Sequence, residues 1–309
     1  MQTPPAFNPL AHPVCLLQPD YTSPVIAWSG HLPFAFTIID ICRPRILVEL
    51  GTHYGNSFCA FCQAVESLKS NTQCHAVDTW QEDPQAGIYG EEVIKTLKSY
   101  QEPRYGHFSK LIRSTFDNAM DGFADGSVDL LHIDGLHTYE AVKHDFDTWL
   151  PKMSAQGVIL FHDTNVFEGD FGVYKLWAEL SPKYPNFEFK HSHGLGVLAV
   201  GANPPDGLLA LLNSTPEETD AIRTFFTQKG QFWLDKYMFD LHAKKSSTHI
   251  GQLDTIAANA NAKIDELNHA LAEVKMQIRH KDDKIKRIQN SFSWKITSPL
   301  RSARRILFR

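Results

Sequence analysis

Cysteine is scarce in this 309-residue chain, and long apolar runs are missing. The five cysteines, at positions 15, 42, 59, 62 and 74, are odd in number and lie in or near predicted core elements, which favours a reducing compartment over a disulfide framework. No apolar run approaches the roughly 20 residues of a membrane span. The first residues also lack a basic segment followed by an apolar core, so we expect no secretory signal and a cytoplasmic protein.

A strong charge of one sign is also lacking. The net charge of -5 gives no case for nucleic-acid binding, and the 43% apolar content suffices for a sizeable core with extensions. The exception is the segment 291–309, which has five cationic side chains and no acidic one.

Short β-branched or aromatic runs bounded by turn residues predict strands. The predicted strands are 46–50, 73–77, 109–113, 128–133 and 158–161, followed by an antiparallel closing pair at 187–189 and 197–200. Helical spacing of apolar residues predicts helices around 34–42, after Gly55, and at 90–100, 139–150 and 171–180. Strands that alternate with helices predict an α/β, Rossmann-like fold with a mostly parallel sheet.

A third glycine is missing from the turn that follows the first strand. The sequence there is Glu49-x-Gly51-x-x-x-Gly55, whereas a dinucleotide fingerprint needs three glycines, so an NAD enzyme is disfavoured. A glycine turn between a strand and a helix still predicts a nucleotide pocket. Asp78 ends the second strand, where a carboxylate can accept hydrogen bonds from ribose hydroxyls, and Trp80 is placed to stack on an adenine.

Polar clusters follow two predicted parallel neighbours, the strands 128–133 and 158–161. The first cluster holds Asp134 and His137, and the second holds His162 and Asp163. Ligands of open α/β sheets lie outside the carboxyl ends of the strands, so the two clusters predict an active site. Asp134 and Asp163 can share one hard cation through oxygen ligands, while Asp134 alone can instead serve as a helix cap.

Residues 28–200 resemble the methyltransferase family that contains cephalosporin-hydroxylase-like enzymes and macrolide sugar O-methyltransferases. The resemblance rests on the segments WSGHLPF, LVELGTHYGNS, VDTW, RSTFD, LLHIDGLHTYE, VILFHDTN and GLGV. It implies a seven-stranded, mostly parallel sheet, S-adenosylmethionine as donor and, in several members, a divalent metal such as Mg²⁺. The cofactor-binding residues expected from it are Glu49, Gly51, Thr52, Tyr54, Gly55, Asp78, Trp80 and Ser114.

The same resemblance assigns the catalytic chemistry. Similar macrolide-type enzymes place a metal-binding aspartate where Asp134 stands and a general-base histidine where His137 stands. They have an acidic pair where this chain has His162 and Asp163. This difference leaves one carboxylate fewer, which weakens the case for magnesium or shifts preference toward a metal that tolerates imidazole. The expected metal ligands are therefore Asp134, His162 and Asp163.

Beyond residue 203 the sequence changes character. We divide the chain into an N-terminal arm (1–27), the methyltransferase domain (28–203), a helical appendix (204–250), a coiled coil (251–290) and a basic amphipathic tail (291–309). Apolar residues recur with alternating spacings of four and three from Leu253 to Ile288, interrupted by Lys281. This pattern predicts a homo-oligomer, a dimer or trimer whose tails emerge together, although a long helix packed on its own domain is the alternative. The tail is expected to bind a membrane surface, which would hold the protein at the inner membrane, or a glycosyltransferase partner.

The sequence thus predicts an S-adenosylmethionine-dependent O-methyltransferase acting on a sugar hydroxyl of a bacterial surface polysaccharide or its precursor. A glycan or a nucleotide-sugar is the expected substrate. The competing hypothesis is a non-catalytic, methyltransferase-like scaffold that recruits glycan-assembly enzymes through its coiled coil and tail.

Overall fold

The computed structural model describes residues 6–81 and 90–301. Its centre is a seven-stranded sheet with the order β3-β2-β1-β4-β5-β7-β6. The strands are β1 (Ile46–Leu50), β2 (Gln73–Asp78), β3 (Ser109–Arg113), β4 (Val128–Ile133), β5 (Met153–His162), β6 (Asn186–Phe189) and β7 (Leu195–Ala199). The first five strands are parallel, and β7 is antiparallel to both β5 and β6. The fold class predicted from the sequence, a mostly parallel Rossmann-like α/β sheet, is confirmed.

Helices connect the strands, and one of them, a short helix between β3 and β4, was not predicted from the hydrophobic spacing. They are α1 (Leu32–Cys42), α2 (Asn56–Ser67), α3 (Glu91–Tyr105), α4 (Phe116–Met120), α5 (Tyr139–Trp149), α6 (Val173–Leu180), α7 (Asp206–Leu212), α8 (Pro216–Asn290) and α9 (Phe292–Ile296). Two strands differ from the prediction by more than one residue at their start: β5 begins at Met153 rather than Val158, and β7 begins at Leu195 rather than Val197. The added residues of β5 include the exposed Ala155 and Gln156, which give no β-branched or aromatic signal.

Two apolar layers enclose the sheet. Leu47 and Leu130 face the layer that holds α1 and α2, together with buried residues of α7 and α8. Val48 and Leu131, the next residues along each strand, face the layer of α5 and α6. Side chains alternate between the faces of a strand, so Glu49 and His132 belong to the first layer.

The five cysteines are free and buried, as the sequence predicts for core residues. Cys59 and Cys62 lie inside α2, where burial raises the pKa of both thiols. High thiol pKa values leave little thiolate for metal binding.

Most of the predicted helical appendix (204–250) belongs to one long helix. α8 continues from Pro216 to Asn290 without a break, so the appendix predicted up to residue 250 and the predicted coiled coil share a single element. By compactness the chain divides into residues 1–239 and 240–309. Among the described residues, no helix is both long and apolar enough to cross a membrane.

Candidate active site

A cavity of about 530 Å³ lies at the carboxyl ends of β1, β2, β4 and β5. Its walls are the loop after β1, the start of the loop after β2, residues 115–116 after β3, residues 134–137 after β4 and residues 162–163 at the end of β5. The chain turns toward opposite sheet edges from β1 and β4, which is where α/β sheets open a crevice for ligands.

Gly51 brings the loop after β1 against the loop after β4. It has a φ of +86°, and a Cβ atom there would lie 2.1 Å from the carbonyl oxygen of Asp134. Only glycine fits both the backbone angle and the contact. The backbone N–H of Asp134 in turn donates to the carbonyl of Leu50 at 2.8 Å, so the two loops are joined by direct contact.

Asp78 organises the same loop. Its Oδ2 accepts hydrogen bonds from the backbone N–H groups of Thr52 and His53, both at 2.8 Å, and its Oδ1 accepts one from Trp80 at 2.7 Å. A carboxylate oxygen has two lone pairs, so Oδ2 is filled and Oδ1 keeps one acceptor position. Asp78 lines the cavity and can therefore accept one ligand hydroxyl through Oδ1.

Two aspartates and two histidines converge at the other end of the cavity. Nδ1 of His162 lies 3.1 Å from Oδ1 of Asp134 and 3.0 Å from Oδ2 of Asp163. Nε2 of His137 lies 2.9 Å from Oδ2 of Asp163 and 3.5 Å from Oδ1 of Asp134. Asp163 has a φ of +62°, a backbone conformation that is unusual for a non-glycine residue and frequent at functional sites.

Residues 48–164 match the family model for a methyltransferase domain. This part of the chain is a methyltransferase domain. The matched segment runs from β1 to the end of β5 and includes both ends of the cavity. The enzyme class predicted from the sequence is confirmed at the level of this domain.

The chain is also similar to individual proteins. It is 48% identical over 198 residues to the uncharacterized protein y4gI of Sinorhizobium fredii strain NBRC 101917 / NGR234, a match covering 64% of this chain and 22% of the relative. The chain thus spans about a fifth of that protein's length. The solved SAH-bound methyltransferase PaMTH1 of Podospora anserina is 16% identical, with a TM-score of 0.42 over 55% of this chain and 77% of that one. A methyltransferase from Geobacter sulfurreducens is 10% identical, with a TM-score of 0.42 over 54% and 76% of the two chains.

Four residues predicted to bind the cofactor lie elsewhere in the methyltransferase domain. Trp80 is 1% exposed and packs with Leu97 in a cluster beneath the loop, so it offers no surface for an adenine. The Cβ position of Gly55 points at Leu97 of α3 instead of the cavity. Glu49 is buried against Nδ1 of His132 at 2.9 Å, and Ser114 donates its backbone N–H to the carbonyl of Asp78.

Gly51, Thr52, Tyr54 and Asp78 do line the cavity, as do Asp134, His137, His162 and Asp163. The hydroxyl of Thr52 is buried and has no hydrogen-bond partner among the described residues. Phe116, directly after β3, lines the same wall and is the aromatic residue that sequence reasoning missed there. Its position in the RSTFD segment, next to Thr115, is the sequence feature that could have identified it as a cavity residue.

The two aspartates and two histidines at this end of the cavity shift one another's pKa values. Burial alone lowers the pKa of His137, but Asp134 and Asp163 outweigh it and raise that pKa to about 9. The same balance raises the pKa of His162 to about 10. Burial raises the carboxylate pKa values, yet His162 and His137 hold those of Asp134 and Asp163 below their usual range. Without a ligand the group therefore consists of two carboxylates and two imidazolium ions at neutral pH.

A backbone carbonyl fixes the orientation of His162. Nε2 of His162 donates to the carbonyl oxygen of Ser192 at 3.1 Å, and Nε2 of His31 lies 3.1 Å from the same oxygen. Nδ1 of His162 is thereby left facing Asp134 and Asp163. A histidine that ligates a metal typically donates its other N–H group in this way.

Further residues surround the group of aspartates and histidines at this end of the cavity. The ring of Phe171 stacks on His137, with centroids 4.9 Å apart and planes 8° apart. His193 is more than half exposed and places Nδ1 3.3 Å from Oδ1 of Asp163. Val25 of the N-terminal arm and Trp28, just after the arm, also line the wall. Loops distant along the chain bring these residues together.

Proposed function

We propose that the protein transfers a methyl group from S-adenosylmethionine to a sugar hydroxyl of a bacterial surface polysaccharide or its precursor. One observation carries the proposal: a single cavity joins the glycine loop and Asp78 at one end to the His137, Asp134, His162 and Asp163 group at the other. Methyl transfer needs a donor and an activated hydroxyl held in line, and the cavity has residues suited to each.

The donor end suits S-adenosylmethionine. Gly51 allows the backbone to approach a ligand, the single remaining acceptor position of Asp78 suits one ribose hydroxyl, and Phe116 replaces Trp80 as the candidate for adenine stacking. Thr52 contributes a buried hydroxyl that has no hydrogen-bond partner in the described part of the chain.

The acceptor end suits removal of a proton from a hydroxyl. A sugar hydroxyl is a weak nucleophile at neutral pH, so a base must take its proton. His137 lines the cavity, and its imidazole is held in place by the contact of Nε2 with Asp163 and by the ring of Phe171. It becomes a base only after losing its own proton, since its pKa is raised to about 9.

The residues at this end also fit a divalent cation. One ligand atom each from Asp134, His162 and Asp163 lies within 4.8 Å of the others, and the Ser192 carbonyl leaves Nδ1 of His162 free to ligate. Two carboxylates and one imidazole suit Mn²⁺ or another transition metal better than Mg²⁺. A bound cation would lower the pKa of a hydroxyl that it ligates.

Calorimetric titration with S-adenosylmethionine and S-adenosylhomocysteine, with and without Mn²⁺ or Mg²⁺, tests the donor and the metal separately. We expect saturable binding of both nucleosides, lost in Asp78→Ala. Radiolabelled methyl transfer to nucleotide-sugar or oligosaccharide pools then tests the acceptor. Binding with no transfer to any sugar would favour a scaffold, and no binding at all would reject the proposal.

A further inference from the structure

The second half of α8 has an apolar stripe that the described part of the chain leaves uncovered. Eight of its large apolar side chains are between 45% and 57% exposed, namely Leu253, Ile264, Leu267, Leu271, Val274, Ile278, Ile285 and Ile288. Ile250, one heptad before Ala257, extends the stripe and is 58% exposed. Spacings of four and three residues put these side chains on one face of the helix, which is the pattern of a two-stranded seam.

Charge divides the same helix into unlike halves. Residues 250–268 contain three acidic side chains and one basic side chain, whereas residues 270–288 contain three acidic and six basic ones. A parallel partner would place like halves side by side. An antiparallel partner places the acidic half of one chain beside the basic half of the other, which is attractive and which favours that orientation.

Lys281 gives an independent reason for the same orientation. It occupies a seam position, so two parallel helices in register would oppose Lys281 with its own copy. In an antiparallel pair centred on residue 269, Lys281 faces the small side chain of Ala257. Like charges no longer meet, and the lysine stem has room to reach solvent.

The same centre gives a complete set of seam layers. Ile250 meets Ile288, Leu253 meets Ile285, Ala260 meets Ile278, Ile264 meets Val274 and Leu267 meets Leu271. Both alanines are thus opposed by a longer side chain, so no layer is formed by two alanines. Every seam position from 250 to 288 finds a partner within the helix.

We propose that a second copy of this chain packs antiparallel on this stripe, centred on residue 269, and forms a homodimer. This orientation replaces the parallel assembly expected from the heptads alone. It does not depend on the function proposed above.

Light scattering of the full chain should give twice the mass of one chain. Leu267→Lys places a charge in the central layers and should return the mass to that of a monomer. Met276→Lys is the matched control, because Met276 is 67% exposed on the same helix but lies off the stripe, and it should remain dimeric. A monomeric parent protein, or a variant Leu267→Lys that stays dimeric, would overturn the proposal.

Cross-linking tests the orientation. The native cysteines are buried, so we expect only the introduced thiols to form disulfide cross-links. Mixed Ala260→Cys and Ile278→Cys proteins should cross-link rapidly after subunit exchange, whereas each variant alone should not. In the antiparallel pair, two copies of residue 260 lie about 27 Å apart along the axis, far beyond disulfide reach. Efficient cross-linking of the single variants would show a parallel pair, and failure of the mixture would reject the register.

Discussion

His137 changes from acid to base within an accessible pH range. The neighbouring carboxylates raise its pKa to about 9, so below that pH most of the ligand-free protein has a protonated His137 that cannot accept a proton. We expect kcat/KM to rise about tenfold per pH unit up to about pH 9. A divalent cation that neutralises Asp134 and Asp163 should move this limb to lower pH.

The variant His137→Gln tests whether this histidine is the base. It should lower turnover by about 10²- to 10⁴-fold and leave the affinity for S-adenosylmethionine unchanged. Activity and calorimetry across pH 6–10 measure both quantities. Parent-like turnover of the variant at every pH would remove His137 from the mechanism.

The buried carboxyl group of Asp145 makes the protein less stable as the pH rises, whereas most carboxylates in proteins have the opposite effect. Burial raises its pKa to about 7, His144 opposes this and Asp117 adds to it. The unfolded chain releases the proton near pH 4, whereas the folded protein keeps it to about 7, so stability is lost as pH rises between the two.

Asp145→Asn should therefore stabilise the protein at pH 8 by up to ~4 kcal/mol and have little effect at pH 4. Urea unfolding at the two pH values measures the difference. Asp147→Asn, an exposed position on the same helix, is the control and should change stability by only a few tenths of a kcal/mol. An equal effect of Asp145→Asn at both pH values would contradict the predicted linkage.

Individual residues also show what sequence reasoning could reach. Asp78 and Gly51 were placed correctly in the cavity because a strand end and a glycine turn fix where their backbones lie. Trp80 was assigned wrongly, because its backbone turns into the left-handed region, with a φ of +47°, and buries the ring under the loop. The Ser192 carbonyl that orients His162 has no sequence signal, since every residue has a carbonyl.

At the scale of elements, α8 packs against the site through a contact between two glycines. A Cβ on Gly230 would lie 2.0 Å from the carbonyl oxygen of Gly30, the residue before His31. Thr227 on the same helix lies 3.1 Å from Nδ1 of His191, whose Nε2 donates to that carbonyl. The start of α8 thus supports the backbone that surrounds His162.

Gly230→Ala should destabilise the domain by roughly 1–3 kcal/mol, because the backbone of residue 30 must move. Gly251→Ala provides the control on the same helix, with open space around its Cβ position, and should stabilise by about 0.5–1 kcal/mol. Thermal unfolding followed by circular dichroism compares the two. Equal stabilisation by both alanines would refute the close contact.

Elements were easier to predict than their lengths. Short β-branched or aromatic runs between turn residues located all seven strands, since the turn residues bound each run. The length of α8 was missed because Gly230, Gly251 and a mixed polar composition interrupt its apolar pattern. Backbone hydrogen bonding continues through such interruptions where packing or a partner supports the helix.

For the whole molecule, the segment after α8 is the proposed contact to a membrane surface or a partner enzyme. Phe292, Ile296 and Leu300 are exposed, and the guanidinium of Arg301 lies 3.8 Å from the ring centroid of Trp294. The remaining expected contacts, at 302–309, fall outside the described residues.

A protein ending at Asn290 should lose flotation with anionic vesicles, while the full chain should float with anionic and not with neutral ones. Both proteins should keep equal S-adenosylmethionine affinity, which separates the tail from the catalytic domain. Equal flotation of the two proteins would reject the membrane contact and leave a protein partner.

The contact between Gly51 and the Asp134 carbonyl limits how this protein can be re-engineered. Substrate specificity is commonly altered by grafting an acceptor loop from another enzyme. Here residues 134–137 cannot be exchanged as an independent module, because their first carbonyl lies where a Cβ of residue 51 would be. A graft that displaces this carbonyl even slightly would also displace the loop that Asp78 holds, so new acceptor loops should be selected with the backbone path at position 134 kept fixed.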